Sequence, residues 1–406
     1  MTGATIDHMV SVTILIAALL VAMMTYNGLF ASAVDYDRNR QVANKAIDIM
    51  NTISLSPGSP IDWGQTNDTL LGFGLQDPQV GGYSLSPYSV MRLNTASDIN
   101  PLVEYNGTYY NNVSTGFGHA MLTPIGDCVN YTTAAELLGV NGTYGFGVDI
   151  TPTLDVTISP DVGASNLTLN VGVSGSGLPV SGATLTYYLF HVESGSPCPY
   201  ILWYPGVNQT NSSGSVDIDF PIAADSVYTF VVYVNLGGLT GVGSYAPYDT
   251  LDDNLYIVPL IEDFDTDGDG YVTLNLIHSW DAIIGHPSGH AEVKFNSTFY
   301  ILTSDFSLQE FGLNCSGSLN YGSHEYITTE IPSSEVGFLV ISYQKSATEI
   351  GSLIVPWGVG ALGVPASFSA GIGSSSDYAF VATELRQVKI DGISYKVKVS
   401  TWSLGD

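Results

Sequence analysis

From residue 9 to residue 34 the chain reads MVSVTILIAALLVAMMTYNGLFASAV, without one charged side chain. As a helix, this run of about 26 residues would reach about 39 Å, more than the ~30 Å hydrocarbon core of a bilayer. It is longer than the apolar core of a secretory signal, and no basic stretch stands before it. The pattern then changes period. In DYDRNRQVANKAIDIMNTIS (35–54), Val42, Ala46, Ile49 and Ile53 recur at spacings of four, three and four, the single apolar stripe of an amphipathic helix. Pro57 and Gly58 stop it. Together the two halves predict one helix of roughly 50 residues, apolar all round at its start and one-sided at its end. Asn27 and Gly28 mark the place where it would kink or melt, because Gly is a poor helix former.

Beyond the helix the hydrophobic pattern shortens. Residues 56–152 mix brief apolar runs with Pro and Gly, and TTAAELL (132–138) reads as a short helix capped by Thr132 or Thr133. Such a region would cover the amphipathic stripe, which needs an apolar partner. From about residue 154, runs such as LTLNVGVSG, ATLTYYLFHV and VYTFVVYVNL alternate or are β-branched, with turn residues between them, the texture of a β-sandwich. Residues 247–406 carry a second series of strands. It ends in LRQVKIDGISYKVKVSTW, where Asp391 and Gly392 lie between alternating runs as a strong hairpin signal. Lys389, Lys396 and Lys398 would guard those strands against edge pairing. The expected fold class is therefore mainly β with one long N-terminal α-helix. The expected divisions are 1–55 helix, 56–152 mixed head region, 153–246 sandwich and 247–406 C-terminal β-rich domain.

Charge narrows the function classes. The chain has 406 residues, with 38 acidic against 10 basic side chains and a formal charge of −28. So few Lys and Arg exclude a nucleic-acid partner, since binding phosphate backbone requires clustered cations. Cys128, Cys198 and Cys315 contain no CxxC pair and define no disulfide framework. N-glycosylation sequons begin at Asn67, Asn106, Asn112, Asn130, Asn141, Asn166, Asn208, Asn211, Asn296 and Asn314. All follow the apolar run, which fits export of everything after about residue 40 and a coat of N-linked glycans.

Several segments carry a resemblance to a known family. MTGATIDHMVSVTILIAALL resembles the class III signal region of archaeal type IV pilin-like proteins, with Gly3 where a leader would be cut. LSPGSPIDWG (55–64), GYSLSPYSVMRL (82–93) and LLGVNGTYGFGVDITPTLDVTI (137–158) are similar to the stretches that follow the helix in such proteins. The pattern departs at the leader, where residues 1–3 hold no Lys or Arg, and at Asp7, one residue before the family's usual carboxylate. GLPVSGATLTYYLF (177–190) and TNSSGSVDIDFP (210–221) resemble Ig-like modules of surface proteins. The resemblance implies a subunit that passes through the membrane and self-associates through its N-terminal helix in a filament core. Its glycosylated β domains would be displayed outside for adhesion or surface coverage, toward a target the sequence does not name. The alternative is a monomeric, single-pass anchored surface or adhesion protein. A surface hydrolase is a third and weaker reading.

One motif points to a cofactor. DTDGDGYVT (265–273) follows the calcium loop of EF-hands and dockerin-like modules. Asp265, Asp267 and Asp269 would supply oxygens at positions one, three and five, Tyr271 its carbonyl at seven and Thr273 position nine, with Gly270 at the sharp turn. Position twelve is Leu276 instead of Glu, so a carboxylate such as Asp263 or Asp281 would have to complete a structural Ca2+ site. His278, Asp281, His286 and His290 cluster in sequence without metal-site spacing. No nucleophile elbow, P-loop or HExxH motif is present, so no enzyme chemistry is expected.

Overall fold

The computed structural model describes residues 2–64, 69–93, 103–105, 108–114, 120–124, 129–161, 166–247, 257–264, 269–278, 292–303, 306–320, 326–332, 335, 337–344, 346, 349–357, 366–369 and 380–404. The protein is mainly β with one long N-terminal helix. That helix, Thr2–Leu55, runs without a break for 54 residues, about 80 Å. It passes straight through Asn27 and Gly28, where a kink was expected. A single Gly costs a helix about 1 kcal/mol, too little to interrupt so long a hydrogen-bonded run.

The expected stripe is the buried one. Val42, Ala46, Ile49 and Ile53 are buried, joined by Met50 and Ser54, while residues 9–34 stay outside. Their partner is a four-stranded antiparallel sheet, ordered Ala366–Ser369, Tyr144–Pro152, Ile393–Ser403, Val381–Ile390. Ile49, Met50 and Ile53 share a core with Phe146, Val148, Ile150, Val397 and Val399, and Val42 and Ala46 meet Ala382. Each large buried side chain contributes roughly 1.5–3 kcal/mol.

After the helix the chain turns back on itself around Trp63, which is fully buried and donates from Nε1 to the carbonyls of Pro57 and Gly74 at 2.8 and 3.0 Å. Gly58 makes this turn at φ +88°, and a Cβ there would lie 2.6 Å from Trp63 Nε1. The following segment adds to the head sheet, with Leu85 N–H donating to the Lys389 carbonyl and Lys389 N–H to that of Tyr83. Short helices form at Pro87–Met91 and Tyr131–Leu137. The cap of the second is Asn130, not Thr132 or Thr133: its side chain accepts from Thr132 N–H at 2.8 Å. Asn caps as well as Ser or Thr, and Asn130 stands two residues before Thr132.

The other strands form four sheets stacked face to face. Asp155–Pro160, Asn166–Gly175 and Ser215–Ala223 make the first, with Leu178–Pro179 at its margin. The second has the order Leu239–Tyr245, Tyr228–Leu236, Thr184–Glu193, Tyr200–Gln209. The third is Leu308–Leu319, Val293–Leu302, Gly337–Gln344, Ile350–Trp357. The fourth runs Val103–Tyr105, Thr108–Ser114, Ala120–Pro124, Ile257–Phe264, Tyr271–His278, Tyr326–Pro332.

Alternation along two central strands explains the stack. Tyr228, Phe230, Val232 and Val234 pack toward Leu169, Val171 and Phe220 of the first sheet. Val231 and Tyr233 point the other way, into a core with Phe338, Val340 and Ile354. Leu339, Ile341 and Tyr343 in turn face Leu274, Leu276 and Ile331 of the fourth sheet. A strand covered on both faces must be apolar at nearly every position, as YTFVVYV and GFLVIS are apart from Thr229 and Ser342. Two hydroxyls between the second and third sheets satisfy each other, Thr229 Oγ1 and Ser352 Oγ at 2.7 Å.

The pairing differs in two places from a grouping by adjacency along the chain. The C-terminal hairpin, grouped with 247–406, pairs with Tyr144–Pro152 in the head. Conversely, Ala120–Pro124, grouped with 56–152, lies beside Ile257–Phe264. Two of the three lysines, Lys396 and Lys398, also differ from expectation. Lys398 is on an inner strand, where it faces Asp149 at 3.4 Å, and Lys396 reaches Ser176. The edge strand beside them is occupied instead by Arg386 and Lys389.

Candidate functional site

The most conspicuous chemistry is the exposed half of the long helix. Its large apolar side chains all face outward, from Val12 at 49% exposure to Met24 at 73%. Polar groups on this half are few, and three of its hydroxyls are turned onto the helix backbone. Thr13, Thr25 and Ser32 each donate to the carbonyl four residues earlier, those of Met9, Val21 and Gly28, at 2.8–2.9 Å. Such back-bonding leaves these three hydroxyls without need of a partner from outside. This helix is long and apolar enough to cross a membrane.

Two arginines fix the helix to the head. Arg38 Nη2 donates to Ser403 Oγ at 2.8 Å. Arg386 donates through Nη1 to Ser54 Oγ at 2.6 Å and through Nη2 to Asn51 Oδ1 at 2.9 Å. The Arg386 guanidinium also lies over the Tyr83 ring, 5.1 Å from its centre. Arg92 sits likewise over Trp63, at 5.0 Å. Two of the chain's ten basic residues, Arg38 and Arg386, thus join the helix to the sheet.

The acidic loop connects two strands. Ile257–Phe264 and Tyr271–His278 pair antiparallel, with Phe264 opposite Val272 and Asp263 opposite Thr273. Asp265 and Asp267 lie outside the described residues. Asp269 is exposed and accepts from Tyr271 N–H at 2.9 Å, and Gly270 has φ +88°. Thr273 is half-buried, between Asp263 and Glu330 in the ladder. Leu276, at position twelve, is a fully buried core residue. In a strand it must alternate into the core, whereas in an EF-hand a helix would present that position to the ion. His278 ends a strand, and Asp281, His286 and His290 lie outside the described residues.

The sequons fall in several settings. Asn166 and Asn211 are exposed on the first sandwich sheet and its turn. Asn211 accepts from Ser213 N–H at 2.8 Å. Asn130 and Asn141 are exposed in the head, where Asn141 donates to Glu136 Oε1. Asn208 is half-buried on the edge strand Tyr200–Gln209. Asn296 is half-buried on Val293–Leu302, which is paired on both sides. Asn112 and Asn314 lie in strands, and Asn67 and Asn106 are outside the described residues.

Asp391 is the group that sequence reasoning missed. The hairpin turn forms as expected, with Ile390 opposite Ile393 and φ of +46° and +80° at Asp391 and Gly392. The residue is half-buried, but its Oδ2 is nevertheless buried and has no hydrogen-bond partner among the described residues. Burial, and then the charge of Asp77, push its pKa up to about 7. Burial, followed by the charge of Asp391, also raises Tyr395 well above the usual tyrosine range. No signal along the chain marked this, because Asp-Gly is an ordinary exposed turn pair.

No family model and no curated protein matches this chain. Among solved structures, CsgH of R. palustris is 18% identical, over 24% of this chain and 94% of its own, with a TM-score of 0.16. A calcium-bound two-domain structure of extended synaptotagmin 2 is 9% identical over 64% of this chain and 96% of its own, with a TM-score of 0.11.

Proposed function

We propose that this chain is a type IV pilin-like subunit of an archaeal extracellular filament. The observation that carries the reading is a single helix with two fates. One half is apolar on every side and has no partner among the described residues, and the other is clamped onto a four-stranded head sheet. Copies of the exposed half would pack against one another after leaving lipid, and the head would hold the stacked sheets outside. The order of the first two sheets favours an Ig-like sandwich. Numbering its seven main strands along the chain, one sheet runs 1-2-5 and the other 4-3-6-7. Glycans on exposed Asn130, Asn141, Asn166 and Asn211 would cover the head, and calcium at 265–273 would stiffen the turn between Ile257–Phe264 and Tyr271–His278 of the fourth sheet. Adhesion or surface coverage is the role such a projecting, glycosylated head would serve.

The back-bonded hydroxyls of the exposed half suit lipid as well as a filament core. A monomeric single-pass anchored surface protein is therefore the second reading. The two separate when cells are sheared. A filament subunit appears in the sheared fraction with a mature N-terminus after Gly3 by mass spectrometry. Recovery only in detergent-extracted membrane, with the chain beginning at Met1, would sink the filament reading.

A further inference from the structure

The loop at 77–84 meets the turn of the C-terminal hairpin around a cleft of about 590 Å³. Two carboxylates stand on its wall, Asp77 and Asp391. The turn holds Asp391 in the left-handed region, so backbone geometry, and not solvent, sets where its side chain goes. Among the described residues its Oδ2 is buried without a partner, and so are the hydroxyls of Tyr395 and Tyr233, both within electrostatic reach of it. A buried carboxylate without a partner is costly, and a second acid nearby adds to the cost. The arrangement calls for positive charge. Lys389 lines the cleft but forms no ion pair with either acid among the described residues, and Arg386 is turned away to Ser54 and Asn51.

The remaining wall indicates what kind of cation enters. Val80, Tyr83 and Val388 give an aliphatic and aromatic surface, and the space far exceeds one ion. Among the described residues there is no cluster of three or more metal-ligating side chains, whereas a hard divalent ion takes six or more oxygens. An aliphatic stem ending in a charge fills both parts of the cleft. We propose that the cleft binds a primary alkylammonium group, its charge against Asp391 and Asp77 and its stem along Val80, Tyr83 and Val388. A free diamine and a lysine side chain share this chemistry. The site is independent of filament assembly.

The test is calorimetric titration of the detergent-solubilised full chain with cadaverine, n-pentanol, Nα-acetyl-lysine methylamide and calcium chloride. Cadaverine binds saturably and pentanol does not. Asp391→Asn and Asp77→Asn each weaken cadaverine on the order of tenfold or more. Both variants keep the fold: Asn tolerates positive φ, and at position 77 it retains the oxygen that accepts from the N–H groups of Gln79 and Val80. Affinity rises with pH as Asp391 ionises through about 7. Binding of the lysine derivative as well identifies a lysine side chain as an occupant, and its exclusion identifies a free amine. The proposal is overturned by absence of saturable cadaverine binding or by cadaverine affinity unchanged in both folded variants. Calcium binding lost in both variants, without amine binding, also overturns it.

Discussion

Arg386 and Ser54, 332 positions apart in the chain, are joined by a 2.6 Å hydrogen bond. Ser54 is fully buried on the last turn of the long helix and donates its own proton to the Met50 carbonyl. Arg386 comes from the edge strand of the head and holds Asn51 at the same time. The chain's far end thus closes on the helix that begins it. Arg386→Ala removes a charged donor from a buried acceptor and should lower stability by about 1–2 kcal/mol. Arg386→Lys, a point charge without the fork, restores only part of this. Thermal unfolding of the full chain in detergent measures both, and an unchanged midpoint for Arg386→Ala would discount the clamp.

Two glycines should respond oppositely to alanine. At Gly58 the backbone is left-handed and an added Cβ meets the buried indole of Trp63 at 2.6 Å. Gly58→Ala should therefore destabilise by more than about 1 kcal/mol, combining strain with displacement of a packed ring. At Gly28 an added Cβ meets nothing within 4 Å. Gly28→Ala should firm the helix by up to about 1 kcal/mol. Helical circular dichroism and unfolding midpoints compare the pair, and matching signs would contradict this account.

Periodicity made the long helix and its stripe visible, since Val42, Ala46, Ile49 and Ile53 are near neighbours whose spacing alone defines a face. The Asp391–Gly392 hairpin was visible for a similar local reason. What covers the stripe was not, because Tyr144–Pro152 and Ile393–Ser403 lie more than 240 residues apart and no local pattern records such a pairing. Tyr228–Leu236 showed its strand character, but its two buried faces required knowledge of a third sheet. Asp391 was hidden for the opposite reason: its neighbours in sequence look like solvent-facing turn residues, and the burial comes from the loop at 77–84.

Asp391 should also shape the pH dependence of stability. Its folded pKa lies near 7, raised by burial and then by Asp77, against about 4 in an unfolded chain. A raised carboxyl pKa means the folded state holds its proton more tightly. The contribution is fully present below pH ~4 and is lost as pH rises toward and through about 7. Its upper limit is roughly 4 kcal/mol. In Asp391→Asn this step disappears, so wild type minus variant should fall across the pH ~4–7 window. A difference that is flat, or rises, would refute the assignment.

Calcium should stabilise the hairpin at 265–273 if its acids form one site. Adding calcium would then raise the unfolding midpoint through preferential binding to the folded state. Asp269→Asn should reduce the shift, since Asp269 stands at the foot of the strand that begins with Tyr271. The Asp77 and Asp391 variants should leave it untouched. An equal midpoint in calcium and in chelator would remove the site.

The long helix allows the sharpest separation of folding from placement. Ile16 lies on the exposed half and makes no part of any core among the described residues, whereas Ile49 is buried against the head sheet. A charge at either position is costly, but in different surroundings. Ile49→Asp puts an unpaired carboxylate in the protein interior, so the head should lose its cooperative unfolding transition. Ile16→Asp leaves every head contact intact, so that transition should keep its midpoint. Its cost falls where residues 9–34 meet lipid or copies of themselves, about 2.5–3.5 kcal/mol at the centre of a bilayer-spanning helix. The variant should leave the membrane pellet, or the sheared filament fraction, for the soluble one. A folded Ile16→Asp protein still held in pellet or filament as firmly as wild type would mean that the exposed face is not what anchors this chain.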